Sequence, residues 1–151
     1  MNRRSFVFAA VIAGLAMGAL GNLPVVNLVN CLLCLWTWLG GALAVILYRR
    51  FEHSAQPLSA GQGAGLGAVA GLVGAVFGAL VFLVTASVSM TLFKDLSLAF
   101  HVEGDLPVEP GSTGWYLAQT GVFLVIDVVL YPLFGALGGL ITANMTRAKA
   151  A

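Results

Sequence analysis

The sequence predicts an all-α, polytopic membrane protein: four transmembrane helices in a tight, glycine-rich bundle, with both termini inside. Three observations carry this reading. The chain of 151 residues is 60% hydrophobic and only 9% charged, whereas a soluble domain uses about 25% charged residues to face water. Four long apolar stretches fill most of the chain. Six of its seven basic residues form three clusters, Arg3 with Arg4, Arg49 with Arg50, and Arg147 with Lys149. Loops on the cytoplasmic side collect Lys and Arg, so a single topology with an even number of crossings places all three clusters inside. One transmembrane domain, residues 1–151, in the bacterial inner membrane is the expectation. Its first partner is the lipid bilayer, and a net charge of +1 with no basic patch outside the anchors excludes nucleic acid.

The first span, residues 6–23, follows Arg3-Arg4 and closes at the turn signal Gly21-Asn22-Leu23-Pro24. Its basic start resembles a twin-arginine export signal, with Arg3-Arg4-x-Phe6. No Ala-x-Ala site precedes Asn22, so a first membrane helix is the preferred reading. The second span, 28–48, is stopped by Arg49-Arg50, and the polar stretch 51–60, including His53, forms the inner loop. The third and fourth spans, 64–93 and 115–145, exceed the roughly 20 apolar residues a crossing needs, so they should tilt or protrude. The outer side then holds a short turn and the acidic loop 94–114, with Asp95, Glu103, Asp105 and Glu109 against Lys94. Within it, residues 96–100 are apolar enough to lie on the membrane surface. Trp36, Trp38, Trp115 and Tyr116 are expected at the outer interface and Tyr48 at the inner one, where amphipathic rings settle.

Glycine placement predicts how the helices meet. Of 19 glycines, Gly67, Gly71, Gly74 and Gly78 share one face of the third span, which Thr85 and Ser89 extend outward. Gly14, Gly18 and Gly21 line the first span, Gly40 with Ala44 the second, and Gly135 with Gly139 the fourth. Lipid gives helices no hydrophobic reason to associate, so close backbone approach at small residues supplies the attraction. The stripes fit a tight intramolecular bundle. That reading comes first, since four striped helices can satisfy one another; the alternative is a homo-oligomer or docking to a larger membrane partner.

Two constellations carry chemistry. Cys31-Leu32-Leu33-Cys34 opens the second span at its outer end, where a helix N-terminus stabilises a thiolate. The motif and its place resemble the quinone-linked disulfide-bond formation protein B family. That resemblance implies a redox pair, Cys31 and Cys34, passing electrons from external thiols to a quinone cofactor. The chain departs from the family in having no cysteine in 94–114 and Trp38 where an arginine is expected. The alternative is two small packing thiols. Asp127 is a carboxylate within a membrane span, one turn outward of Tyr131 and close to Pro132. Intramembrane carboxylates face a bundle interior or a water-filled cavity. Asp127, Tyr131, Thr85 and Ser89 are therefore candidates to line a polar pathway, or Asp127 simply fixes helix register. A glycine-rich helix followed by one buried carboxylate is also similar to the rotor-ring proteolipids of ATP synthases, with Gly61, Gly63, Gly65 and Gly67 in place of their alternating glycines. The connecting loop here is outer and about twenty residues long, unlike theirs. In 94–114, His101, Glu103 and Asp105 alternate as the ligands of a divalent ion would on a strand, but Pro107, Pro110 and Gly111 favour solvated turns. No complete catalytic set, metal site or cofactor site is expected.

The wider pattern resembles small uncharacterised bacterial four-helix membrane proteins: Asn30-Cys31-x-x-Cys34, Gly40-Gly41, Arg49-Arg50 and a late Gly135-Ala-Leu-Gly-Gly139. The resulting expectation is a non-enzymatic membrane subunit, with the thiol oxidoreductase and the Asp127 pathway as alternatives. A subunit should leave at least one glycine-striped or aromatic face uncovered.

Overall fold

The computed structural model describes residues 2–23, 35–52, 58–99 and 113–148, and their side chains except at 86–99 and 113. Within them the chain forms α1 (Arg3–Asn22), α2 (Leu35–Glu52), α3 (Ala60–Ala99) and α4 (Thr113–Ala148). All of α1, Ala60–Thr85 of α3 and Gly114–Ala148 of α4 are long and apolar enough to cross a membrane. At 20 residues, α1 is about 30 Å long, the thickness of the hydrocarbon layer. The described part of α2 has 18 residues and includes Arg49, Arg50 and Glu52. It is a helix of the bundle and, by itself, not a full apolar span.

Local sequence sets the helix starts. Asn2 caps α1: its Oδ1 accepts the Arg4 N–H at 3.0 Å, and its carbonyl accepts the Phe6 N–H at 3.0 Å. Ser59 and Gln62 form a reciprocal capping box on α3. The Gln62 N–H donates to Ser59 Oγ at 3.2 Å, and the Ser59 N–H donates to Gln62 Oε1 at 3.0 Å. That box starts α3 at Ala60, several residues before the apolar run suggests. α4 continues through Pro132 without interruption. Thr85, Thr120 and Thr146 return their hydroxyls to carbonyls one turn back, at 2.9, 2.7 and 2.9 Å. A hydroxyl in a helix surrounded by lipid satisfies itself that way.

The helices run up and down. The Asn2 N–H donates to the Tyr48 hydroxyl at 3.1 Å, joining the start of α1 to the end of α2. Ile46, Arg49 and Arg50 share a groove with Thr146, joining the end of α2 to the end of α4. Arg3, Arg4, Arg49, Arg50 and Arg147 therefore occupy one end of the bundle. Tyr48 is only 4% exposed. Its ring is packed within the bundle at the basic end, where its hydroxyl accepts the Asn2 N–H at the start of α1. α3 packs most extensively on α4 and next on α1, while α1 and α4 stand at opposite corners.

The interior is built from small residues and the exterior from large ones. Ala9, Ala10, Ala13, Ala44, Ala70, Ala75 and Ala143 are buried, and the largest fully buried side chains are Met17, Leu66, Val45 and Thr37. Outside, Phe8 is 62% exposed, Val125 70% and Val84 83%. In water such an apolar exterior would drive aggregation. Against lipid tails it has no cost, and small interior residues bring the backbones together. The molecule is a membrane-embedded helical bundle.

Candidate functional site

The glycine seams are the most heavily constrained part of the molecule. Spacings of four, three and four confine Gly67, Gly71, Gly74 and Gly78 to a sector about 60° wide. That sector looks into the gap between α1 and α4, so one stripe serves two helices. A Cβ built on Gly67 would overlap the Gly135 carbonyl of α4, and one on Gly71 would overlap the Tyr131 carbonyl and come within 2.6 Å of the Pro132 nitrogen. Proline has no N–H to keep satisfied, which suits it to so close a neighbour. Gly74 and Gly78 turn to α1: a Cβ on Gly74 would lie 3.2 Å from the Gly14 carbonyl oxygen, and one on Gly78 would strike the Asn22 amide. From the other side, Gly14 faces Ala70 and Val73, and Gly18 faces Gly74 and Gly78.

Gly135 is a three-helix node. Its carbonyl occupies the space where a Cβ on Gly41 of α2, or on Gly67 of α3, would fall. Gly139 and Gly63 meet in the same way nearer the basic end, and Gly138 lies on the Trp38 backbone. Gly40 receives Met17, whose methyl would be 2.7 Å from an added Cβ. The expected stripes thus meet inside one copy of the chain. Gly41, Gly63 and Gly138 belong to the seams as well. Gly41 is adjacent to the striped Gly40, and Gly138 to Gly139, so a one-residue shift of face was enough to hide them.

Polar groups converge near the end of α1. Asn22 Nδ2 donates to the Gly18 carbonyl at 3.0 Å and to the Tyr131 hydroxyl at 3.4 Å. The Asn22 carbonyl lies 3.5 Å from Thr85 Oγ1. Tyr131 is 4% exposed, and Gly21 and Gly78 leave room for its hydroxyl and the Asn22 amide. This contact bridges the two helices at opposite corners. Of the expected polar set, the structure brings Tyr131 and Thr85 together around Asn22, a residue that sequence alone marks only as part of a turn. Asp127 is partly buried, and among the described residues no hydrogen bond joins it to that cluster. The side chain of Ser89 lies outside the described residues. So do Cys31 and Cys34, the loop residues His101, Glu103, Asp105 and Glu109, and His53 and Lys149.

Aromatic rings complete the contacts of α4. Trp38 meets Phe134 at a centroid distance of 6.0 Å and 32°, and Phe82 meets Phe123 at 5.6 Å and 56°. These tilted pairs hold α4 to α2 and α3. Among the described residues no group of three or more His, Cys, Asp or Glu could hold a metal ion. Compared with family models, curated proteins and solved structures, the chain matches none.

Proposed function

We propose that the chain is a non-enzymatic integral membrane subunit or accessory protein that packs into a larger or homo-oligomeric complex of the bacterial inner membrane. Its basic end and both termini face the cytoplasm, in keeping with the positive-inside rule. The observation supporting the subunit reading is a second small-residue row. Gly114, Ala118 and Gly121 of α4 repeat the four-three spacing of the start of the α3 seam, yet all three are exposed. A Cβ on Gly121 would meet nothing within 4 Å, in contrast to the seam glycines Gly135, Gly138 and Gly139 of the same helix. Lipid chains fill a surface of any side-chain size, whereas a neighbouring helix approaches closely only over small residues.

Gly121→Leu tests this reading. The native chain, purified in mild detergent, should run as an assembly heavier than its 15.6 kDa. The variant should run as a folded single chain with unchanged helix content. A native chain that is itself monomeric, with nothing co-purifying, would remove the proposal. The redox alternative through Cys31 and Cys34, with its quinone, and the pathway alternative through Asp127 are less well supported. The polar groups that meet, Asn22, Tyr131 and Thr85, tie helices together.

A further inference from the structure

The basic end carries a groove that the assembly proposal does not use. It is a shallow, open depression of about 270 Å³ between the last turns of α2 and α4, lined by Ile46, Arg49, Arg50 and Thr146. We propose that this groove binds the phosphate head group of an anionic phospholipid.

Three features of the groove support a lipid. First, among the described residues no salt bridge joins its arginines to an acidic side chain. Glu52 and Asp127 are the acidic residues whose side chains are described. The Oε2 of Glu52 is buried and Glu52 is absent from the lining, while Asp127 sits some five turns away along α4. Second, the donors left over are guanidinium groups. Thr146 has committed its hydroxyl to the Ala143 carbonyl at 2.9 Å, satisfying part of the α4 end itself. Two adjacent arginines present fork-shaped donors, which match phosphate oxygens better than a point charge does. Third, the groove opens onto an apolar track. Ile46 is exposed one turn above Arg50, and Leu39 continues the same face of α2, while Ile141 is exposed on α4. Charge at the rim and aliphatic surface above it reproduce the order of an acyl phospholipid, head group outward and chains toward the bilayer centre. Free phosphate would use the arginines and leave the track idle. Basic pockets between helices at the cytoplasmic face commonly hold such head groups.

The test is a titration of phosphatidylglycerol, and separately phosphatidylcholine, into the purified full chain in neutral detergent, read by native mass spectrometry. The expected result is one saturable phosphatidylglycerol adduct, bound at least about tenfold more tightly than phosphatidylcholine. The double variant Arg49→Gln/Arg50→Gln should weaken it about 25-fold, taking roughly fivefold for each arginine near the head groups. Arg147→Gln removes charge from the same end outside the groove lining and should stay within about twofold. Ile46→Trp keeps every charge, fills the groove, and should weaken binding comparably to the Arg49/Arg50 pair. A loss of about fivefold from Arg147→Gln as well, or full binding by Ile46→Trp, would overturn the site in favour of diffuse surface charge. Displacement by millimolar inorganic phosphate would overturn the lipid assignment in favour of free phosphate.

Discussion

Gly135 and Gly65 differ by what an added methyl group would touch. At Gly135 it would overlap the Gly67 carbonyl across the α3–α4 seam, whereas at Gly65 it meets nothing within 4 Å. Backbone cannot move aside as a flexible side-chain tip can, so overpacking here falls at the upper part of its usual range. Gly135→Ala should therefore cost about 3 kcal/mol of bundle stability, and Gly65→Ala less than about 0.5 kcal/mol. Tyr131→Phe, which loses the Asn22 amide contact but keeps the ring, should fall between them at about 0.6 kcal/mol, the mean for interhelical hydrogen bonds in membranes. Unfolding in mixed micelles, followed by helical circular dichroism, gives the ranking. Equal costs at Gly135 and Gly65 would contradict the seam. The glycine stripes were legible because their spacing is local. The Asn22–Tyr131 contact was not, because its partners are 109 positions apart.

Among the elements, α3 has the most explicit start. Ser59 and Gln62 satisfy each other's backbone N–H groups, and Leu58, just before the cap, is buried at 5% exposure. Such a cap is worth about 1 kcal/mol. Ser59→Ala should therefore raise amide hydrogen exchange in the first turn of α3 about fivefold, while amides around Gly71 keep their protection. Unchanged exchange at residues 60–63 would show that tertiary contacts alone hold that turn. The signal Ser-x-x-Gln was present in the sequence, but hydropathy placed the helix start later because Gly61, Gln62 and Gly63 dilute the apolar run. α4 illustrates the opposite case. Proline inside a helix removes one backbone hydrogen bond and usually bends it. Here α4 runs on through Pro132, where it presents a donor-free nitrogen to Gly71.

For the whole molecule, the shared position of the arginines is the strongest constraint on topology. The Asn2–Tyr48 hydrogen bond and the groove between α2 and α4 bring three chain-distant basic segments to one end. With Cys31 and Cys34 replaced by Ser, a single cysteine at Ala148 should resist a membrane-impermeant maleimide in intact cells and react after permeabilisation. A cysteine placed in the outer loop at Gly104 should react without it. Labelling of Ala148 in intact cells would reverse the proposed sidedness and move the lipid groove to the opposite leaflet.

Composition and the period of small residues by themselves determined that this is a helical membrane protein held by glycine, because both are sums over local sequence. The same local arithmetic predicted four crossings, of which the described residues show three as long apolar spans and, of the second, an 18-residue helix ending in charge. Tertiary structure alone decided which helices the stripes join: one face of α3 is shared between α1 and α4, and Gly135 serves two neighbours. It also decided that Asn22 meets Tyr131, that Tyr48 is buried, and that Arg49 and Arg50 share a groove with Thr146. The physical reason is that a small residue records only that something comes close, and what comes close is set by helices folding back from elsewhere in the chain.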